Sequence, residues 1–313
     1  MQMFLNYLSS LPGAVTQGIV WGIMAIGVYI TYKVLDIADL TVDGSICTGA
    51  AVCAAMMLQG HSLAVAMLMA TLAGMIAGLV TGLLHTCMGI PAILAGILTQ
   101  LMLWSVNLKV MGIALGKGSA ANLPLSARTY NLLVSMLNLN RSLLVLGIVV
   151  VVLIGVLYWF FGTEYGSALR ATGNNLNMSR AQGINTNVVK IVGLVISNGI
   201  VAFAGALLAQ FQGNADVNMG KGAIVIGLAA VIIGEALFGW LSKNNFALKL
   251  LTVVFGGIIY FIVYSTVLFI GLDTNYLKML SALVVALFLA IPYWEKKYVK
   301  VGGHKKSHKK EVE

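Results

Sequence analysis

Nine times along this chain, a run of about twenty mostly apolar residues returns after a short polar break. The runs lie near 12–32, 40–59, 62–86, 90–111, 141–162, 188–211, 221–241, 246–270 and 274–293. About twenty apolar residues is what one helix needs to cross a bilayer. Backbone in lipid must satisfy its own hydrogen bonds, so a chain of such runs folds as a set of helices. Charge agrees, since only 9% of residues are Asp, Glu, Lys or Arg, against roughly 25% in soluble domains. So few charges cannot cover a water-facing surface. The expected fold is all-α: a polytopic membrane protein of about nine transmembrane or partly re-entrant helices in one bundle. Residues 1–293 would form that bundle and 294–313 a basic tail. The second and fourth runs are the least regular. Asp39, Thr41, Asp43 and Ser45 make the start of the second polar, and Pro91 opens the fourth.

The net charge of +9 is unevenly placed, with Lys296, Lys297, Lys300, Lys305, Lys306, Lys309 and Lys310 all following Pro292. A basic tail beyond a membrane span is the usual cytoplasmic flank and can lean on anionic lipid. No nucleic acid partner is expected. Counting spans from that tail puts 163–190 in the cytoplasm and the N-terminus outside. Thirteen Lys and Arg then fall inside and six outside, the bias expected of a bacterial cytoplasmic-membrane protein. Cys47, Cys53 and Cys87 lie in apolar surroundings without paired spacing and read as buried small side chains. His304 and His308 read as solvated tail residues, so no metal is expected, and no cleavable signal peptide is apparent.

Inside the spans, Gly74, Gly78 and Gly82 recur every fourth residue, and Gly193 and Ser197 sit on a later span. Small residues let helix backbones approach where lipid gives no hydrophobic drive. The pattern fits packing within the chain or a seam with a second copy. Trp21, Trp104, Trp159, Trp240 and Trp294, with Tyr158 and Tyr293, read as an interfacial belt. Trp21 and Trp104 have a second reading, as stacking partners for an aromatic substrate.

The long polar interruption is 163–190, carrying Arg170, Arg180, Lys190, three Gly and a run of Asn. A short helix is expected from Ser167 to Ala171, ended by Gly173, and another from Leu176 to Ala181, closed by Gly183. Helices this short are marginal alone. The loop therefore reads either as a docking element for a soluble partner or as an amphipathic surface segment.

Gly166, Leu169-Arg170-Ala171, Gly173, Asn175, Ala181 and Gly183-Ile184-Asn185 resemble the cytoplasmic coupling loop of ABC importer permeases. The resemblance is to the branched-chain amino-acid and ribose permease family. It extends to Ala38-Asp39-Leu40-Thr41-Val42-Asp43-Gly44-Ser45, Gly49-Ala50-Ala51, Pro91–Ile97 and Gly227–Gly239. It looks closest to a subgroup linked to amino-acid uptake, including aromatic amino acids. The resemblance implies a type II ABC importer-like bundle acting as a homodimer or with a paralogue. It implies a separate cytoplasmic ATPase that holds the ATP-Mg, a binding protein outside, and no cofactor on this chain. It also implies that Gly166, Leu169, Arg170, Ala171, Thr172, Gly173, Asn175, Ala181 and Gly183, within a coupling loop at about 163–187, face the ATPase. Arg170 would be the polar anchor, and Gly183 would turn the chain back toward the next span.

Asp36, Asp39 and Asp43 put three carboxylates within eight residues, which is expensive at membrane depth. Asp39, Thr41, Asp43 and Ser45 either line a translocation path or bind the backbone as caps and turns. Glu235, alone in its span, must be paired, protonated or wet. It reads as a packing or inner-gate residue or a proton relay. No nucleophile elbow or phosphate-binding loop is present, so no catalytic residue is expected. The leading expectation is a non-enzymatic importer permease carrying a small solute, with amino acids favoured. The alternative is an ion-coupled secondary transporter using Asp39, Asp43 or Glu235.

Overall fold

The computed structural model describes residues 2–125, 130, 132–240 and 245–269, with isolated positions as far as 290. The expected span 274–293, the basic tail, His304, His308 and Trp294 lie outside the described residues, apart from those isolated positions in the span. Eight of the nine expected apolar runs are helices. α1 (Gln2–Tyr29) continues into a π-helical turn (Ile30–Val34), followed by α2 (Val42–Leu58), α3 (Leu63–Thr86), α4 (Ala92–Ala114) and α5 (Leu139–Gly162). The polar loop holds α6 (Glu164–Asn174) and α7 (Leu176–Ala181). Then come α8 (Thr186–Gln212), α9 (Ala223–Phe238) and α10 (Phe246–Phe269).

Among the described residues, six helices are long and apolar enough to cross a membrane, and α2 and α9 are shorter. At 17 and 16 residues, and about 1.5 Å per residue, α2 and α9 fall short of a hydrocarbon core of about 30 Å. Both begin inside the bundle rather than at its edge. After α1 the chain turns back through an unwound segment, residues 35–41, before α2 starts. After α8 it turns back through β2 (Asn214–Asp216), which pairs antiparallel with β1 (Asn122–Pro124), and then reaches α9. Gly213 and Gly222, at φ 74° and 87°, frame that second re-entry. Left-handed backbone favours Gly, which has no Cβ to clash.

α8 is the hub, packed by α1, α2 and α3. α3 runs antiparallel to it along the expected glycine stripe. A Cβ at Gly74 would meet the Asn198 carbonyl, one at Gly78 the Leu194 carbonyl, and one at Gly82 the Ile191 backbone. The stripe is therefore a seam within the chain. Trp21 departs from the belt expectation. It is only 6% exposed and stacks on Phe261 in α10, centroids 5.8 Å apart. Cys47 and Cys53 are buried, while Cys87, expected to be buried, is exposed at the end of α3.

Candidate functional site

The unwound segment lies beside Asn198, twelve residues into α8 and so about 18 Å from that helix's start. Irregular backbone at such depth needs substitute partners, and side chains supply them. Asp39 Oδ1 accepts from the Thr41 N–H at 2.9 Å, and Asp39 Oδ2 from Asn198 Nδ2 at 2.7 Å. Ser45 donates to Asn198 Oδ1 at 2.6 Å. The Thr41 hydroxyl meets that of Thr81 at 2.7 Å, and Thr81 donates to Thr99 at 2.9 Å. All six side chains are buried. They tie the segment to α3, α4 and α8.

Asp43 joins the two short helices. Its carboxylate accepts from the Gly222 N–H and the Ile224 N–H, each at 2.9 Å. Gly222 precedes α9 and has no side chain to cap it, so Asp43 caps α9 from another helix. A carboxylate at a helix N-terminus also opposes the positive end of the helix dipole.

At the end of the bundle carrying α6 and α7, a cleft of about 1010 Å³ opens between α1, α6, α9 and α10, lined by Tyr29, Lys33, Asp36, Arg170, Glu235 and Lys249 among others. Glu235 is paired there, accepting from Lys33 Nζ at 2.8 Å across the cleft wall. Asp36 is exposed on the rim, with φ 55°.

The loop owes its helices to three side-chain caps. Thr163 accepts from the Gly166 N–H, Asn175 from the Met178 N–H and Asn185 from the Val188 N–H. Gly183, at φ 81°, lies between α7 and α8. Gly173 does not end α6 as expected. It sits inside that helix, where a Cβ would strike the Val34 carbonyl. The loop has two faces. Gly166, Leu169 and Thr172 are buried, and Leu169, 1% exposed, reaches the same point as Leu35, against Gly193 of α8. Arg170, Asn175 and Ala181 are exposed, as is Met178 at 55%, while Ala171 is intermediate. Arg170 also donates from Nη2 to the Phe161 carbonyl at 2.8 Å, clasping α6 to α5. Leu169, Gly166 and Thr172 thus face their own bundle, because an eleven-residue amphipathic helix must bury its apolar side against something.

The family model described as branched-chain amino acid transport system, permease component, matches residues 10–291. The chain belongs to that permease family. It is the membrane permease subunit of an ABC importer. It is 39% identical over 284 residues to the "Tyrosine transport system permease protein" of Clostridioides difficile, covering 90% of this chain and 91% of that one. It is 31% identical to the "Autoinducer 2 import system permease protein LsrC" of Yersinia pseudotuberculosis, covering 68% and 58%. Its fold resembles the solved "PsaBC from Streptococcus pneumoniae in complex with Fab", with TM-score 0.53, 16% identity, and coverage of 96% and 99%.

Sequence reading singled out one strand of the permease's buried seam, Asp39 to Ser45, and missed the other. Asn198, Thr81 and Thr99 lie 159, 40 and 58 positions from their partners or further along the same chain of bonds. An Asn midway along an apolar run was the available signal, because a polar amide in a span needs a partner.

Proposed function

We propose that this permease is the pore-forming half of a type II-like importer in a bacterial cytoplasmic membrane. It pairs with a second copy and takes a small solute, an amino acid in this reading, from an extracytoplasmic binding protein. A separate ABC ATPase docks on α6 and α7 and hydrolyses the ATP. The bundle end carrying these helices faces the cytoplasm, with the N-terminus at the opposite end. Five described Lys and Arg (Lys33, Arg170, Arg180, Lys190 and Lys249) at that end, against four (Lys109, Lys117, Arg141 and Lys221) at the other, support this orientation. Similarity to a tyrosine-system permease over nearly the whole length supports an amino acid as cargo. A ninth span over 274–293 returns the basic tail to the cytoplasm.

The observation that carries the reading is the two-faced loop. Leu169 anchors α6 to α8 and to the segment after α1, leaving Arg170, Asn175, Met178 and Ala181 exposed on the side that can meet a partner. A push on the exposed face reaches Leu35 and Gly193 through one side chain. Interfaces with two packed states turn such pushes into rigid-body switches.

The test is reconstitution of the full-length permease with its ATPase and binding protein. Arg170→Glu with Met178→Glu is expected to leave the permease folded and abolish ATP-driven uptake. Unchanged uptake, or gradient-driven uptake by the permease alone, would refute the proposal.

A further inference from the structure

Three basic side chains from three helices gather where α3 ends and α8 begins, at the bundle end carrying α6 and α7. His85 is in the last turn of α3, Arg180 in α7 and Lys190 in the second turn of α8. Defined bonds hold them in place. The Ile90 carbonyl lies 2.9 Å from His85 Nδ1. A carbonyl only accepts, so Nδ1 carries the hydrogen, and in the neutral ring Nε2 is left as an acceptor. Lys190 Nζ lies 3.4 Å from that Nε2 and donates to it. One turn earlier on α8, the Thr186 hydroxyl accepts from Arg180 Nε at 3.1 Å. Residues four apart on a helix stand one above the other. Thr186 and His85 therefore set the guanidinium and the ammonium beside each other on one face of α8.

The two cations repel, since Arg180 lies close enough to act on the Lys190 ammonium. Among the described residues the one ion pair is Lys33 with Glu235, and no carboxylate bonds Arg180 or Lys190. Arg180 uses only its Nε, and its Nη1 and Nη2 donors make no hydrogen bond among the described residues. Lys190 keeps two further N–H donors. An anion with several acceptor oxygens would complete both groups. The surroundings decide which anion. Leu72, Ile76, Leu79 and Leu83 form a stripe along α3, each 40–61% exposed, that ends two residues before His85. Val188, two residues before Lys190 on α8, is exposed as well. In a membrane subunit such a stripe faces lipid tails, so the cations at its end stand at the level of the headgroups.

We propose that Arg180 and Lys190 seat the headgroup phosphate of an anionic phospholipid whose acyl chains lie along the α3 stripe. His85 and Thr186 position the two cations. A free phosphate would meet the same cations but gain nothing from the stripe. The leaflet is the one beside α6 and α7, which is cytoplasmic in the orientation proposed above, and the inference rests on that reading for this point alone. A bound headgroup bridges α7 to α8. The lipid thus ties down the second helix of the 163–190 loop, as Leu169 ties down the first.

The test uses the full-length permease in a neutral detergent, titrated with phosphatidylglycerol or phosphatidylcholine and read by native mass spectrometry. Phosphatidylglycerol is expected to be retained in preference and to raise the melting temperature. Arg180→Gln and Lys190→Gln are each expected to weaken its retention about fivefold, the share of one basic side chain near an anionic surface. Lys190→Arg should keep the lipid, and Lys109→Gln, exposed at the other end of α4, should change nothing. Without added lipid both Gln variants should melt with the unsubstituted protein, and what they lose is the rise on adding phosphatidylglycerol. The inference is overturned by equal retention of the two lipids or by unchanged retention in both Gln variants. Displacement of phosphatidylglycerol by glycerol 1-phosphate marks a soluble-phosphate site and overturns it as well. Gln variants that keep the lipid but lose ATPase binding overturn it and assign the cluster to the ATPase. The leaflet is tested separately through Cys87, which is exposed two residues after His85 while Cys47 and Cys53 are buried. A membrane-impermeant maleimide is expected to label it in inside-out vesicles and not in intact cells. Labelling in intact cells would refute the proposed orientation and leave the lipid seat standing in the opposite leaflet.

Discussion

Asp43→Asn separates two roles that a carboxylate in a membrane span can play. Asn is almost the same size but offers one acceptor where Asp offers two. In the structure both oxygens are used, by Gly222 N–H and Ile224 N–H at 2.9 Å each. The substituted amide keeps one bond and turns its NH2 toward the other N–H. A hydrogen bond to a charged group contributes about 1.5–3 kcal/mol. A charge at a partly buried helix terminus adds up to about 2 kcal/mol. Together the loss is about 3–4 kcal/mol. At about 2–4 °C per kcal/mol for a chain somewhat smaller than this one, the apparent melting temperature should fall by about 6–16 °C. The assay is thermal unfolding of the purified permease in one fixed detergent, with Asp36→Asn as control, since Asp36 is exposed and Asn tolerates its φ of 55° equally well. A residue that binds a coupling ion behaves the other way, keeping stability and losing transport. Unfolding within about 2 °C of the unsubstituted protein would refute the capping argument.

Three further outcomes follow from the same contacts. Thr81→Val keeps the shape of the residue and removes the hydroxyl shared with Thr41 and Thr99. It should cost about 1–3 kcal/mol, read as a lower melting temperature. Gly173→Val places side-chain carbon against the Val34 carbonyl. Such a substitution should displace α6, which is checked by faster proteolysis within 163–185 and by loss of ATP-driven uptake while the permease still inserts. Glu235→Gln breaks an ion pair whose side chains are 47% and 36% exposed. Exposed pairs contribute about 0–1 kcal/mol, so thermal unfolding should barely change, and a large drop would mean that the pair is shielded in the assembly.

The long spans were legible because length and composition alone decide them, and α3, α5, α8 and α10 begin and end within two or three residues of the sequence reading. What composition does not encode is where a span starts relative to its neighbours. α9 reads as an ordinary crossing and α2 as one of the two least regular runs, yet both start inside the bundle. Their polar starts, Asp39 to Ser45 and Gly213 to Gly222, were the visible sign. The loop shows the same division. Its caps at Asn175 and Asn185 are local, so a run of Asn reveals them. Which side of α6 is buried depends on Leu35 and Gly193, which lie more than a hundred positions upstream and 24 downstream of Leu169. Periodicity says that Leu169 and Arg170 point different ways; it does not say which one meets the partner.

The breaks after α1 and after α8 leave backbone donors inside the bundle, and the polar side chains nearby are occupied by them. Each of the four carboxylate oxygens of Asp39 and Asp43 already accepts a hydrogen bond, three of the four from backbone N–H groups and one from Asn198. Recruiting either carboxylate to hold cargo would leave a buried donor unpaired, at a cost of about 1–3 kcal/mol for each bond given up. Buried polar groups that complete the fold and polar groups that wait for a ligand therefore differ in one measurable respect, whether their partners are already present. By that criterion the acidic cluster most prominent in the sequence belongs to the scaffold.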